Sequence, residues 1–254
     1  MKKKSSATTV DTTLNDIPDE ILSHILSFLP LKEAFRTIFL SKRWIPLSYS
    51  LSIHFDGIQT ESWINFRRML DSIMLSPLAQ QYTLKTFHID HCRFNLCKSA
   101  NSTINQWLEA AKRRHIQNIF LKLGRRVTLL PTIFSCKTLV VLKLRDLKLS
   151  SMFHCCVDLP LLETLSLIDV RLKDLEDLKK LIYGCPTLKD LKTSYVTATP
   201  YVTATDGGVI AADGGLTAGE YSKPLSRLIQ ANIRLFEVPF RAVPNVQFLT
   251  VTNV

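Results

Sequence analysis

A short apolar spacing recurs along this 254-residue chain and constrains its fold more than any other feature. Each copy opens with three apolar residues in the pattern L-x-x-L-x-L, as in Leu139, Leu142 and Leu144. Side chains alternate across a β-strand, so the second and third apolar residues lie on one face and their neighbours on the other. A single copy cannot bury its apolar face, so the pattern predicts strands that stack side by side.

The longer copies follow L-x-x-L-x-L-x-x-(N/C)-x-L, the signature of a leucine-rich repeat. The apolar positions of all five copies, long and short, are Leu84, Phe87, Ile89, Cys92 and Phe94; Ile116, Ile119 and Leu121; Leu139, Leu142, Leu144, Leu147 and Leu149; Leu162, Leu165, Leu167, Val170 and Leu172; and Leu188 with Leu191. The copies start 32, 23, 23 and 26 residues apart, which predicts an irregular solenoid.

Helical segments separate the predicted strands. Residues 61–76, 101–115 and 172–183 have helical periodicity, and the last segment ends at Gly184 and Pro186, a typical helix stop. Degenerate strands are expected on either side of the main copies, at Ile53 with Phe55 and at Val246 with Leu249 and Val251. This alternation predicts an α/β solenoid with a curved parallel sheet.

The N-terminal stretch of residues 16–44 carries more apolar surface than so short a segment can bury. Its first helix would present Ile21, Leu22, Ile25, Leu26, Phe28 and Leu29 over roughly 160° of its circumference, whereas a helix on one core needs about 100°. Pro18 suits a first turn, Pro30 ends the helix, and residues 31–40 and 41–47 predict two more short helices. A trio of this size buries too little surface to be stable alone, so a second polypeptide is expected to cover it.

These residues resemble the F-box. The resemblance is carried by Ile17-Pro18, Glu20-Ile21-Leu22, Leu29-Pro30, Ala34 and Leu40-Ser41-Lys42-Arg43-Trp44, while Ile17 and Ser48 depart from the usual plant pattern. An ordered series over about 30 positions is more specific than a single short motif. The resemblance implies docking on a Skp-type adaptor, which joins the chain to a cullin-RING (SCF) ubiquitin ligase.

By the same resemblance, the residues that contact the Skp-type adaptor would be Ile17, Pro18, Glu20, Ile21, Leu22, Ile25, Leu26, Leu29, Pro30, Leu31, Ala34, Lys42, Arg43 and Trp44. An F-box followed by leucine-rich repeats is typical of a large group of plant proteins. Such proteins recruit a target for ubiquitination and proteasomal degradation, and other subunits supply the chemistry. The implied role is a substrate adaptor that is not itself an enzyme.

The repeats provide the candidate target-binding surface. Residues that flank the apolar positions of each strand point away from the core, and they include His88, Phe120, Val141, Lys143, Arg145 and Ser166. Phe120 and Val141 resemble the apolar centre of an interface with a polar rim, or are simply exposed singly. We expect these residues to contact a protein target.

Catalytic, metal and cofactor sites are not indicated. The phosphate-binding loop, the dinucleotide-binding glycine pattern, the nucleophile elbow and the H-E-x-x-H zinc motif are all missing. His88, His91, Cys92 and Cys97 lie close in sequence but lack the paired spacing of zinc ligands. We therefore expect no metal and no cofactor, with Cys136 and Cys185 filling the core because each precedes a repeat by three residues.

Composition narrows the setting. Six cysteines without a C-x-x-C pair favour reduced thiols, and residues 1–10 do not form a secretory signal, so we expect a cytoplasmic or nuclear protein without a membrane span. The net charge is +10, with Arg67-Arg68, Arg113-Arg114 and Arg125-Arg126 in the most basic region. A basic patch can bind phosphates, but no aromatic residues interleave with these arginines, which favours solvated helix faces and loops.

The predicted domains are a flexible segment over 1–13, the F-box over 14–50 and the solenoid over 51–254. Residues 195–221 contain YVTATP, YVTATD and five of the eight glycines, which predicts a flexible insertion. No polar cap is visible after the last strand, which predicts an exposed edge.

Two alternatives to the ligase adaptor stay open. One is a basic leucine-rich scaffold that binds nucleic acid or protein without ligase assembly. The other is a shortened F-box relative that binds the adaptor but has lost its target. The target itself is not encoded in any motif.

Overall fold

The computed structural model describes residues 14–50, 52–56, 63–90, 99–198, 225–234 and 246–252. The chain divides into two compact units, Met1–Leu51 and Ser52–Val254. The described part of the first unit is helical, and the second unit is built on parallel strands. The predicted α/β class, with N-terminal helices ahead of a repeat sheet, is confirmed. In none of these ranges does a helix combine the length and the apolar character needed to cross a membrane.

Two prolines start helices in the first unit. Its helices are α1, Asp19–Ser27; α2, Leu31–Arg36, continued by a 3-10 turn over Thr37–Phe39; and α3, Trp44–Tyr49. Pro18 and Pro30 each stand immediately before a helix, and their carbonyl oxygens accept backbone hydrogen bonds from Leu22 and Ala34 at 3.1 and 3.0 Å. Proline lacks an N–H group, so it costs no hydrogen bond at a helix start.

Pro46 and Ser48 both fit within the third helix. Pro46 lies in the first turn of α3, where its missing N–H is not needed, so the helix is short rather than kinked. Ser48 is fully buried, and its hydroxyl lies 3.0 Å from Thr37 Oγ1 and donates to the Ala34 carbonyl at 3.3 Å. Tyr49, one residue later, packs edge-on against Phe35 with ring centroids 5.3 Å apart.

The second unit contains the predicted parallel sheet. Its strands are β1, Ile53–Asp56; β2, Thr86–Asp90; β3, Asn118–Lys122; β4, Thr128–Leu129; β5, Val141–Leu149; β6, Thr164–Leu172; β7, Asp190–Ser194; β8, Thr197–Ala198; β9, Gln230–Arg234; and β10, Phe248–Thr252. They follow the order β1-β2-β3-β5-β6-β7-β9-β10, while β4 pairs with β5 and β8 with β6. The second apolar residues of successive copies are direct partners, as in the pairing of Leu142 with Leu165, so the repeat phase is confirmed.

Helices cover the apolar face of this sheet. They are α4, Trp63–Met74; α5, Ser99–Arg113; and α6, Leu175–Tyr183. The first and last are somewhat shorter than predicted, and α5 has the predicted length but starts two residues earlier. Phe55 on β1 stacks on Phe66 of α4 at 3.7 Å between centroids, and Phe66 meets the edge of Trp107 on α5 at 5.8 Å. Trp107 is fully buried and donates its indole N–H to Asp71 at 2.8 Å. Aromatic packing and one buried hydrogen bond thus attach α4 and α5 to the sheet.

The backbone bends at equivalent positions of three repeats, within β5 and β6 and directly after β7. Asp146, Asp169 and Tyr195 have left-handed backbones, with φ values of 53°, 52° and 56°. Each residue comes two positions after the third site of its repeat. The bends in β5 and β6 precede the residues that pair with β4 and β8. Aspartate tolerates this conformation better than most residues, which explains its place at two of the three bends.

The structure adds one repeat strand that sequence reasoning missed. Leu228, Ala231 and Ile233 repeat the L-x-x-L-x-L spacing, and Ala231 and Ile233 are buried in β9. The small Ala231 weakened the apolar signal. The strand predicted at the end of the chain is present as β10, parallel to β9.

The surroundings of Arg114 differ from those predicted from sequence. Arg114 was expected on a solvated helix face, but it is fully buried, and its guanidinium donates to the Tyr82 carbonyl at 3.0 Å. The prediction for Arg114 was therefore wrong, because a buried carbonyl lies within its reach. Residues 1–13 and most of the insertion predicted over 195–221 lie outside the described residues, as do Cys92 and Phe94 of the first copy.

Candidate binding surfaces

Helix α1 carries two apolar stripes side by side. Leu22 and Leu26, four residues apart, are buried. Ile21 and Ile25, shifted by one residue, are 50% and 44% exposed. Residues four apart lie on the same face of a helix, so one stripe packs inside the unit and the other faces out. The excess apolar width predicted for this helix is therefore real, and half of it lies at the surface.

The inward stripe belongs to a small core. Its buried members are Leu22, Leu26, Ala34, Trp44 and Leu47, and Ile17 packs against them. Leu22, Leu26, Ala34 and Trp44 were predicted to contact the adaptor directly. Their side chains are buried inside the unit and support the outward stripe from beneath, and their contact with the adaptor stays a prediction. The exposed stripe is the part of the helix that a partner can reach directly.

The outward surface is larger than the sequence indicated. We use the name apolar patch for the exposed large apolar residues of this unit, which are Leu14, Ile21, Ile25, Phe28, Leu29, Phe39 and Leu40. Phe39 is 85% exposed and Phe28 is 75% exposed. The predicted set omitted Phe39 because the 3-10 turn over Thr37–Phe39 breaks the helical period, and a helical wheel does not show where its side chain points.

The Arg43 side chain links two helix starts within the helical unit. Its guanidinium forms an ion pair with Asp19 at 2.6 Å and donates to the carbonyl of Ile17 at 2.5 Å. These bonds tie the start of α3 to the start of α1, so Arg43 has an internal structural role. Of the other positions predicted to contact the adaptor, Leu31 is half-buried, and Pro18, Glu20, Pro30 and Lys42 are exposed.

The strands of the second unit expose one face opposite the helices. We call it the open face, and its residues form three rows across neighbouring strands. The rows are Thr86, Asn118, Val141, Thr164 and Asp190; then His88, Phe120, Lys143, Ser166 and Lys192; then Asp90, Lys122, Arg145, Ile168 and Ser194. All six candidate target-binding residues thus share this face, and their role in binding stays a prediction.

Aromatic and cationic groups meet in the middle row. The His88 ring lies 5.5 Å from the Phe120 ring, and the Lys143 ammonium lies 5.2 Å from the centroid of Phe120. On the other side, His54 Nδ1 lies 3.2 Å from His88 Nδ1. The chain of contacts runs across four strands, from β1 to β5. It gives the open face a half-buried aromatic centre next to an exposed positive charge.

Charge is balanced at the ends of the strands. Lys122 pairs with Asp90 at 3.3 Å, Arg145 lies 3.7 Å from Asp146, and Arg125 pairs with Asp169. Burial raises the pKa of Asp146, and the hydrogen bond to the Asp169 carboxyl and the negative charge there raise it further, against Arg145 and Lys122. Of the two aspartates at the bends, Asp169 is therefore paired with Arg125, and Asp146 keeps its proton to a higher pH than an ordinary aspartate.

Sequence reasoning missed two members of the middle row. His54 lies on β1 and is the direct partner of His88. Lys192 lies on β7 and is the direct partner of Ser166. The signal for Lys192 was present, because Leu188 and Leu191 fix the phase of the fifth copy and place residue 192 on the open face. His54 lies in a degenerate copy with two apolar residues, too short for its register to be set from sequence.

The crowded histidines and cysteines are only partly visible. His88 lies on β2, while His91, Cys92 and Cys97 lie outside the described residues. Within the described ranges, no group of three His, Cys, Asp or Glu residues is arranged to hold a metal ion. The absence of a metal site stays a prediction. Cys136 and Cys185 are both buried, as expected of core residues.

Comparison with known proteins identifies both parts of the chain. A family model for the F-box domain matches residues 14–56. A second model, for the leucine-rich repeats of FBD-associated F-box protein At5g56370, matches residues 104–204. The matches cover the helical unit and the central strands of the sheet.

Similar proteins occur in Arabidopsis thaliana. Putative F-box/FBD/LRR-repeat protein At5g22670 is 32% identical over 200 residues, which are 76% of this chain and 43% of that protein. F-box/FBD/LRR-repeat protein At5g56420 is 31% identical over 188 residues, which are 70% and 42% of the two chains. FBD-associated F-box protein At4g10400 is 34% identical over 187 residues, or 70% and 44%. The chain spans roughly two fifths of the length of these curated relatives.

Proposed function

The chain belongs to the F-box/leucine-rich-repeat proteins, and from that premise we propose that it is a non-catalytic substrate adaptor of an SCF-type ubiquitin ligase. In this proposal, the unit over 14–50 binds a Skp-type adaptor and the repeats bind a protein target. The proposed setting is the cytoplasm or the nucleus. Ubiquitin transfer would be carried out by other subunits, and this chain would supply proximity between the target and the charged carrier.

The apolar patch is the observation that carries this proposal. Ile21 and Ile25 lie on α1, Phe28 and Leu29 follow directly after its end, and all four are exposed. Contiguous exposed apolar surface of this kind marks interaction sites on small proteins. Fully burying one such side chain contributes about 1.5–3 kcal/mol, so covering these four partly exposed residues offsets part of the cost of association.

The composition of the patch favours a protein partner. Aromatic Phe28 and Phe39 lie among aliphatic residues, and aromatic side chains are enriched in the centre of protein interfaces. Arg43 and Asp19 pair with each other at the start of α1, at partly exposed positions, so this ion pair adds little to the binding energy.

The proposal is tested by co-expression with a Skp-type adaptor. Ile21→Asp/Ile25→Asp should weaken co-purification by about 30-fold or more, because charges replace two anchors at the centre of the patch. Leu161→Asp/Ile229→Asp is the matched control, since both residues are exposed apolar positions in the second unit. The control should bind like the unchanged chain. Equal binding by the Ile21/Ile25 variant would reject the docking face.

A second comparison separates docking from folding. Leu26→Ala removes a buried core residue and should lower the folding stability of the helical unit by about 2–5 kcal/mol. Ile25→Ala changes an exposed neighbour and should leave that stability nearly unchanged, while it should weaken binding of the Skp-type adaptor. A loss of binding that follows stability alone in both variants would argue against a specific interface at Ile25.

Two further measurements, retention by polyanions and the abundance of cellular proteins, decide between the ligase adaptor and its alternatives. Retention by polyanions without any binding of a Skp-type adaptor would support the basic scaffold, and that retention would fall steeply with salt. Adaptor binding without a change in the abundance of any cellular protein would support a relative that has lost its target. Selective loss of one protein, dependent on Ile21 and Ile25, would support the ligase adaptor.

A further inference from the structure

The centre of the open face carries two lysines on either side of a serine. Lys143 on β5 and Lys192 on β7 are separated by Ser166 on β6 in the same row. Neighbouring strands lie about 4.8 Å apart, so the two lysine backbones are roughly 10 Å apart. Both lysines are exposed, whereas Ser166 is 7% exposed. The two exposed lysines therefore lie on either side of a buried serine across three neighbouring strands.

Among the residues that the structure describes, no carboxylate pairs with either lysine. In the described ranges, neither Lys143 nor Lys192 takes part in an ion pair, whereas Lys122 pairs with Asp90 and Lys189 with Glu163. Lys143 instead places its ammonium over Phe120. Such a contact leaves the positive charge accessible to an anion from the solvent side.

Apolar side chains border the lysines. Val141 and Ile168 lie in the rows on either side of the lysine row, and both are half-buried. Phe120 continues the row beyond Lys143. Positive charge next to small apolar surfaces matches a ligand that alternates anionic and apolar groups. The centre of an interface commonly combines such features.

Resting on the proposed function, we infer that this strip takes an extended acidic segment of the target protein, with carboxylates against Lys143 and Lys192 and apolar side chains against Val141 and Ile168. In a polyproline II segment, three residues span about 9.3 Å and complete one turn. Carboxylates three residues apart would then lie on one side of the segment at a spacing close to that of the two lysines.

A protein segment fits this surface better than a nucleic acid. Asp190 lies in the row next to Lys192 and would repel a continuous phosphate backbone, whereas Asp90 is already paired with Lys122. Phe120 carries the Lys143 ammonium at its ring and does not offer a free aromatic platform for base stacking. Separate carboxylates can approach the two lysines and avoid the aspartates.

The inference is tested on the full chain co-expressed with a Skp-type adaptor. The probe is a fluorescein-labelled peptide with four repeats of Glu-Pro-Leu, and the same peptide with Gln in place of Glu is its neutral control. Lys143→Glu/Lys192→Glu should weaken binding of the acidic peptide by about tenfold or more, since two charge pairs are lost and each reversal adds repulsion. Fluorescence polarisation at low salt measures the affinity.

A matched variant controls for net charge. Arg68→Glu/Lys180→Glu changes the charge by the same amount on helices α4 and α6, and it should keep peptide affinity within about twofold. Thermal unfolding of both variants checks that the fold is intact. Equal weakening by the two double variants, or equal binding of the Glu and Gln peptides, would overturn the inference.

The outcomes for the two proposals are distinct. Co-purification of the Skp-type adaptor without binding of the acidic peptide would overturn the inference and leave the proposed function standing. Peptide binding that depends on Lys143 and Lys192 without adaptor co-purification would do the reverse. Preferential binding of a 20-residue single-stranded oligonucleotide, abolished by the Lys143/Lys192 variant, would assign the strip to nucleic acid and overturn the inference.

Discussion

At the scale of single residues, Gly184 shows how a helix stop can have a packing cause. Its backbone is not left-handed, with φ at −73°, so conformational freedom does not explain the glycine. A β-carbon at this position would lie 2.4 Å from Val157 Cγ1 and 2.8 Å from the Val157 carbonyl oxygen. The loop before β6 therefore passes directly against the end of α6, and only a residue without a side chain fits.

Replacement of Gly184 should reveal this close approach. Gly184→Ala is expected to destabilise the second unit by about 1–3 kcal/mol because of overpacking. Val157→Ala should recover part of the loss, although the Val157 carbonyl oxygen stays in the way. Gly124→Ala is the control, since its φ is +89° and no atom lies within 4 Å of the new β-carbon. Urea unfolding should show coupling between Val157 and Gly184 and none between Val157 and Gly124.

Cys185 should make the stability of the fold depend on alkaline pH. Burial raises the pKa of its thiol from 9.0 to about 12, so the folded state favours the neutral form. Below pH 9 the contribution of Cys185 to stability is complete, and it is lost as pH rises from 9 toward 12. The loss is about 1.4 kcal/mol per pH unit in this window.

Urea midpoints at pH 8 and pH 10 test the effect of Cys185. Cys185→Ala should reduce the difference between the two midpoints, because the alanine variant has no thiol to ionise. Cys156→Ala, at an exposed thiol, should leave the difference unchanged. An identical pH dependence in the Cys185 variant and the unchanged chain would contradict the prediction.

At the scale of elements, polar residues on α5 fix a short strand. Asn105 accepts a hydrogen bond from the Leu130 amide at 2.8 Å, and Asn101 accepts one from the Thr128 amide at 3.1 Å. The two asparagines are four residues apart and face the same way. They supply partners for the backbone at β4, which is only two residues long. A strand so short depends on side-chain hydrogen bonds from the helix.

Substitutions at Asn105 should separate the acceptor from the rest of the side chain. Asn105→Ala leaves the Leu130 N–H without its partner and should cost about 1–3 kcal/mol. Asn105→Asp keeps the acceptor oxygen, so the Leu130 amide should retain more of its protection in hydrogen exchange. Gln106→Ala changes an exposed neighbour and serves as the control. Equal Leu130 exchange in the Ala and Asp variants would refute this role of the acceptor.

The elements also show what could be predicted from sequence. Regular copies such as Leu142 with Leu144 gave the strand, its register and the residues of the open face, because strand periodicity is local. Strand β4 was missed since it depends on Asn101 and Asn105, which act from another element. In α1, the wheel gave the total apolar width but not which stripe is buried. That choice depends on how Trp44 packs from α3, a contact between distant residues.

At the scale of the whole molecule, the two units differ in the size of their cores. The helical unit is centred on five buried residues with Ile17 against them. The repeat unit buries side chains along seven successive strands of its sheet, from β1 to β9. Stability rises with the fraction of surface buried, so the helical unit should be much the less stable of the two. Its exposed stripe keeps free energy available for a partner.

Hydrogen exchange on the full chain should display this difference. Amides of α1, such as Leu22 and Leu26, are expected to exchange faster than those of Leu142 and Leu165 in the sheet, because a unit of this size rarely exceeds about 3–5 kcal/mol of stability. A Skp-type adaptor at 100 times its dissociation constant should add about 2.7 kcal/mol and slow α1 exchange by about 100-fold. Ile21→Asp/Ile25→Asp should abolish that slowing without changing the sheet. Slow α1 exchange in the free chain, unaffected by the adaptor, would mean that the helical unit is complete by itself and that its exposed stripe serves no partner.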